Sequence, residues 1–213
     1  MKVSNLTRNT LVTLAATGMA AVAAPAISNA QSTLIFDDSG LGNNANLSGT
    51  GYGDNLAGTP NVTLTWGNGW QNYFDWDGRT TVGQLDYNVA GSSVIDLTFH
   101  ADAGFGVYVS SFDLDTWTGG GDTRIDWELL EGINSIDSGV YLQPSGSGRT
   151  NIATNMDSSN AVFGSLTLRL TRVSGLPNYQ AADNITFSQV PEPTSAAVLL
   201  AGVGALAMRR RRR

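Results

Sequence analysis

Apolar and polar side chains alternate in short runs along much of the chain. Val62, Leu64 and Trp66 share one face. Ile95, Leu97 and Phe99 do the same, with Asp96, Thr98 and His100 opposite. Ile125, Trp127 and Leu129 alternate with Arg124, Asp126 and Glu128, and Leu166, Leu168 and Leu170 with Thr167, Arg169 and Thr171. Val107 and Val109 precede Phe112 and Leu114, so the phase shifts across Ser110-Ser111 and predicts a β-bulge there. Ile185 and Phe187 form a last short strand. A period of two with a polar outer face is the signature of half-buried β-strands. Glycine- and asparagine-rich stretches separate the runs, as turns require. No stretch of the body has a helical apolar period. About eight to ten strands of this kind predict an all-β, two-sheet antiparallel sandwich of jelly-roll-like form.

The two ends break the pattern. Lys2 and Arg8 precede an uncharged, alanine-rich run from Thr10 to Ala24, and Ser28-Asn29-Ala30 puts small residues before Gln31. That is the layout of a secretory signal cut between Ala30 and Gln31. At the other end come Val190, Pro191, Glu192 and Pro193, then an apolar run from Thr194 to Met208, then Arg209, Arg210, Arg211, Arg212 and Arg213. The prolines keep the last strand from continuing into the helix. Fifteen helical residues at ~1.5 Å each span ~22 Å, short of the ~30 Å hydrocarbon core, so the anchor is marginal. The arginines favour the cytoplasmic side and leave the body outside. The expected division is a signal peptide over 1–30, a β-sandwich over 31–189 and a sorting segment over 190–213.

This motif, apolar helix and arginine cluster, in that order, resemble the PEP-CTERM sorting signal of Gram-negative bacteria. The resemblance implies export through the secretion machinery, transient anchoring in the inner membrane and recognition by an exosortase. It implies processing near Pro191-Glu192-Pro193 and delivery to the cell surface or the exopolysaccharide matrix. Gly51-Tyr52-Gly53-Asp54-Asn55, Thr59-Pro60-Asn61-Val62, Ser111-Phe112-Asp113-Leu114 and Ala182-Asp183-Asn184-Ile185 make the body similar to a recurrent cargo domain of such proteins. That second resemblance implies a carbohydrate-binding type of jelly roll.

Charge and composition narrow the function further. The chain carries 12 basic and 18 acidic residues, no cysteine and one histidine. Residues 31–190 hold five arginines against seventeen acids, a net charge of −12. Such a body is no partner for a nucleic-acid backbone. Disulfides, thiol catalysis and two-histidine metal sites are excluded by composition. No Gly-x-Ser-x-Gly elbow or Gly-x-Gly-x-x-Gly loop is present. His100, on a polar strand face without a serine or cysteine motif beside it, reads as a surface residue.

Three sets of residues remain as candidate chemistry. Asp75 with Asp77 and Asp113 with Asp115 are carboxylates at i and i+2, the raw material of a glycosidase; the simpler expectation is solvated acids on a polar face. Asp37, Asp38 and Asp183 flank the first and last strands, which pair in many jelly rolls, and supply hard oxygen ligands for a structural calcium ion. Asp54-Asn55 is a further calcium candidate. Trp70, Trp76 and Trp117 are candidate platforms for sugar rings, while Trp66 and Trp127 follow apolar faces and belong to the core. The sequence thus points to a non-enzymatic surface or matrix protein associated with exopolysaccharide. A carbohydrate-binding module and a glycan-active enzyme are the alternatives.

Overall fold

The computed structural model describes residues 30–192 except Arg79. The expected signal segment before Ala30, and Pro193, the apolar run 194–208 and the terminal arginines, lie outside the described residues. The described residues form twelve strands: β1 (Ala30–Leu34), β2 (Ala45–Asn46), β3 (Val62–Trp66), β4 (Trp70–Trp76), β5 (Thr80–Leu85), β6 (Val94–Ala101), β7 (Phe105–Thr116), β8 (Thr123–Glu131), β9 (Asn134–Gln143), β10 (Gly148–Ala153), β11 (Ser165–Ser174) and β12 (Gln180–Pro191). A 3₁₀ turn (Phe36–Asp38) and one helical turn, α1 (Tyr87–Ala90), are the only helical pieces among the described residues.

The strands form two antiparallel sheets, as the alternation predicts. The larger runs β10-β7-β12-β5-β4-β2, with β1 also paired to β12; the smaller runs β3-β6-β11-β8-β9. The alternating apolar sets face each other between the sheets. Leu97, Phe99, Leu166, Leu168, Leu170, Val109, Phe112 and Phe187 have no exposed surface. Burying each such side chain contributes ~1.5–3 kcal/mol. Phe112 meets Trp127 edge-on at 5.5 Å and Phe99 meets Phe187 at 5.0 Å, which ties one sheet to the other. Trp66 and Trp127 are core residues, as expected.

The phase shift on β7 is a bulge. Thr186 pairs with Ser111 and Phe187 with Val109, which leaves Ser110 without an opposite residue. An extra residue on β12 compensates, because Asp183 pairs with Asp113 but Thr186 with Ser111. Asn184 takes the positive φ of 47° that this second bulge demands. The far edge of β12 changes partner at the same point. It pairs with β5 over Gln180 to Ala182 and with β1 over Ile185 to Gln189.

Candidate functional site

The outer face of the larger sheet carries the candidate site. Register places Arg149, Asp115, Ala181, Gln84 and Gln71 in one row across β10, β7, β12, β5 and β4. The face divides into an ionic half over β10, β7 and β12 and an aromatic–amide half over β5 and β4.

The aromatic half is built by an irregularity in β4. Trp70 pairs with Leu85 and points into the core, so Gln71 and Tyr73 point outward. The register then shifts: Tyr73 pairs with Val82 but Trp76 with Thr80. The extra residue brings Trp76 back to the outer face beside Tyr73. Asp75 absorbs the bend with φ of 54°, and Asp77 with φ of 50° opens the turn that leads to β5; Asp enters this region more readily than most residues. Tyr73, Trp76 and Trp117 meet edge-to-face in a three-ring cluster at 5.0–5.6 Å over Val82 and Ala181. Thr118 Oγ1 donates to Asp77 at 3.0 Å, and the Trp117 amide donates to the Tyr179 carbonyl at 3.0 Å. These bonds fix the Trp117 loop from both sides.

A cleft of about 410 Å³ opens beside this cluster. Its aromatic walls are Tyr73, Trp117 and Tyr179; its polar lining is the amides of Asn44, Gln71, Gln84 and Asn178 and one carboxylate, Asp86. Gln84 donates to the Asn178 carbonyl at 2.7 Å, which holds the Asn178-Tyr179 wall against β5. Asp86 caps α1, accepting from the amides of Asn88 and Val89 at 2.9 and 3.1 Å through Oδ1. No lysine or arginine is among the described residues that line the cleft.

Two of the three tryptophans expected at the surface are elsewhere. Trp70 is fully buried, with Nε1 donating to the Asp96 carbonyl at 2.9 Å. Trp76 is fully buried beneath Tyr73 and Trp117. A spacing of six on a regular strand would put both on one face; the bulge sends them to opposite faces. Trp117 lines the cleft. Tyr73 and Gln71 belong to the aromatic and amide run around Trp70 in the sequence, whereas Asn44, Gln84, Asn178 and Tyr179 come from distant segments that the sequence does not single out.

The ionic half corrects the reading of Asp113 and Asp115 as solvated. Both are buried, because β10 lies along β7 and sets Arg149 opposite Asp115. Arg149 Nε donates to Asp115 at 2.8 Å and Nη1 to Asp183 at 2.9 Å, with Asp113 at 3.9 Å. Asn151 and Asn184 donate to the two oxygens of Asp113 at 2.8 and 2.7 Å. Burial raises the Asp183 carboxyl above its ordinary range, against the lowering pull of the Asn184 amide and Arg149. Burial works against the charge on Arg149, but its bond to Asp115 and the three carboxylates raise its affinity for the proton overall.

Of the expected calcium ligands, Asp37, Asp54 and Asp183 have protein partners. Asp183 is held by Arg149. Asp37 accepts from Thr80 Oγ1 and the Thr81 amide, and these bonds lower its pKa. Asp54 accepts from the Leu64 amide at 2.5 Å. The side chain of Asp38 lies outside the described residues. Among the described residues no three His, Asp or Glu side chains are grouped to hold a metal ion. His100 bridges Thr65 and Ser165, both at 2.9 Å, on the polar face of the smaller sheet.

The end of β12 is the described part of the C-terminal motif. Val190 pairs with Gly106 and Pro191 with Phe105, and the Glu192 amide donates to the Gly104 carbonyl at 2.8 Å. The strand therefore runs two residues past the boundary expected at 189. Proline fits there because strand ends tolerate its missing N–H. Residues 189–213 match the description PEP-CTERM protein-sorting motif. The chain carries a PEP-CTERM sorting motif. That motif implies an exported protein that an exosortase recognises and whose C-terminal membrane anchor is processed.

No curated protein matches the chain. Among solved structures, an apo-form cyclase from Fischerella sp. is 17% identical with a TM-score of 0.37, over 78% of this chain and 99% of that one. The Podospora anserina GH26-CBM35 β-(1,4)-mannanase is 14% identical with a TM-score of 0.38, over 78% of this chain and 28% of that one. A family 11 carbohydrate-binding module from Clostridium thermocellum, in complex with a β-1,3-1,4-mixed-linked tetrasaccharide, is 11% identical with a TM-score of 0.29, over 74% and 94%.

Proposed function

We propose that the body is a non-catalytic glycan-binding module that associates with exopolysaccharide at the cell surface or in the matrix. The observation that carries this reading is the cleft in which Tyr73, Trp117 and Tyr179 surround four amide side chains. A pyranose ring presents C–H faces that pack on aromatic rings and hydroxyls that both donate and accept. Amides answer such hydroxyls because each carries a donor and an acceptor end. A concave site with apolar walls and a few placed polar groups is the general form of a small-ligand pocket. With Asp86 in the lining and no cation among its described residues, the cleft suits neutral sugars better than uronic acids.

The carboxylate geometry supports a binding role over hydrolysis. Glycosidases need two carboxyl groups roughly 5–9.5 Å apart across the scissile bond. Asp86 stands alone in the cleft, and Asp113, Asp115 and Asp183 are engaged with Arg149. A second concavity, over Trp127 on the smaller sheet, has Asp126 and Glu128 in its lining, but Arg124 holds Asp126 through two bonds at 2.8 and 3.1 Å.

The test is titration calorimetry of the protein against neutral glucans and mannans, with polyuronates as the charged comparison. Binding to a neutral glycan is expected, and Trp117→Ala should weaken it by about tenfold or more, the ~1.4 kcal/mol or greater loss typical of a central aromatic anchor. Failure to bind any of the neutral polymers, or full affinity in Trp117→Ala, would sink the proposal.

A further inference from the structure

We infer that exosortase processing leaves β12 whole, so that the bond cut lies on the C-terminal side of Glu192. The fold and the sorting motif share three residues. Val190 sits opposite Gly106 with only 9% of its surface exposed and belongs to the main core cluster. Pro191 sits opposite Phe105, and Glu192 donates its amide to Gly104. A peptide-cleaving enzyme takes its substrate as an unpaired, extended segment, and paired backbone must open locally before it is cut. The backbone from Val190 to Glu192 is paired, so a cut within it requires local opening first.

The product side of the reaction points the same way. A cut before Val190 would remove the last rungs of the strand that joins β7 to β1. It would leave backbone groups of Gly104 to Gly106 without their partners and uncover the core surface under Val190. Unpaired buried backbone groups cost as much as lost hydrogen bonds. A cut after Glu192 keeps every one of these rungs. In that step the scissile amide C–N bond breaks and its carbonyl carbon bonds to an acceptor, water or an amine. The acceptor's proton leaves on the departing amino group. The mature body then ends in Val190-Pro191-Glu192, or extends beyond it.

The experiment is intact-mass and C-terminal peptide analysis of the full chain expressed in an exosortase-bearing host and recovered after processing. The expected C-terminal peptide contains Val190, Pro191 and Glu192. A mature C-terminus at Gln189 or earlier, or at Val190 or Pro191, overturns the inference, as does recovery of only uncut chain. Hydrogen exchange on the unprocessed full chain in detergent checks the cause. The Glu192 amide should exchange at least about tenfold more slowly than in an unstructured peptide; exchange at the unstructured rate removes the basis of the argument. Neither readout depends on glycan binding.

Discussion

At the residue scale, the body tolerates polar groups in places where their satisfaction is unequal, and the inequality makes predictions. The Tyr87 hydroxyl is buried without a hydrogen-bond partner, and burial raises its pKa. Arg172 lies 5.5 Å over the same ring and gains from its π face, which phenylalanine also supplies. Tyr87→Phe should therefore leave the fold intact and raise stability by up to ~1 kcal/mol, because an unpaired hydroxyl no longer needs to be dehydrated. Urea unfolding checks this, and a clear loss of stability would mean the hydroxyl has a partner. Asp183 gives a pH signature. Its folded pKa is raised above the ordinary 3.8 mainly by burial, so between those two values the folded state binds more proton than the unfolded one. Stability contributed by this group therefore rises as pH falls through the raised pKa, and levels off below 3.8. Asp37 has the opposite sign, since the hydrogen bonds from Thr81 lower its pKa and their benefit is lost as pH falls below 3.8. Comparing wild type with Asp183→Asn cancels Asp37. The difference in melting temperature should move in favour of the wild type on acidification, and a difference independent of pH would contradict the assignment.

At the element scale, the alternating runs were legible because each strand that shows them has one face in the core and one in water. β3 and β6 obey that rule throughout, β8 as far as Leu129 and β11 as far as Thr171, and the phase shift at Ser110-Ser111 announced its own bulge. β9 was not legible, since it is an edge strand whose Ile136, Val140 and Leu142 are exposed and whose inward set includes a glycine, Gly139. That glycine is required: a Cβ there would lie 2.6 Å from the indole of Trp127. β4 was misread for a different reason. Its bulge carries Asp75 at positive φ, and no apolar period records a reversal made by backbone geometry. The cleft was hidden with it, because Trp117, Tyr73 and Tyr179 come from three separate parts of the chain and meet only through the register of β4, β5 and β12. Asp75→Val tests the device. A β-branched residue at φ of 54° costs ~1–2 kcal/mol, so the bulge should be strained and the Trp76–Tyr73–Trp117 cluster loosened. The expected result is a lower melting temperature and a reduced near-ultraviolet circular dichroism signal. Unchanged values for both would show that the bulge does not depend on Asp75.

At the scale of the whole molecule, the controlling fact is a net charge of −12 on residues 31–190, in a fold with no disulfide. Self-repulsion of that size destabilises the compact state and is relieved by salt, since charges farther apart than ~10 Å are screened at 0.1 M ionic strength. The acids drawn together on the larger sheet are partly neutralised by Arg149; the rest of the charge is spread over the surface. The melting temperature should therefore rise with sodium chloride. Calcium should act as a divalent counterion and no more, because Asp183 is engaged with Arg149 and Asp37 with Thr80 and Thr81. Magnesium at equal ionic strength should match it, and chelator should leave the chain folded. A specific site behaves differently: its stabilisation grows with the ratio of ligand to dissociation constant and is not reproduced by another ion of the same charge. A rise in melting temperature given by calcium alone, and lost in Asp183→Ala, would mean that Arg149 yields its carboxylates to a metal ion and that the ionic half of the sheet is a metal site. The equal response to both ions is expected instead, with charge screening setting stability across the whole surface.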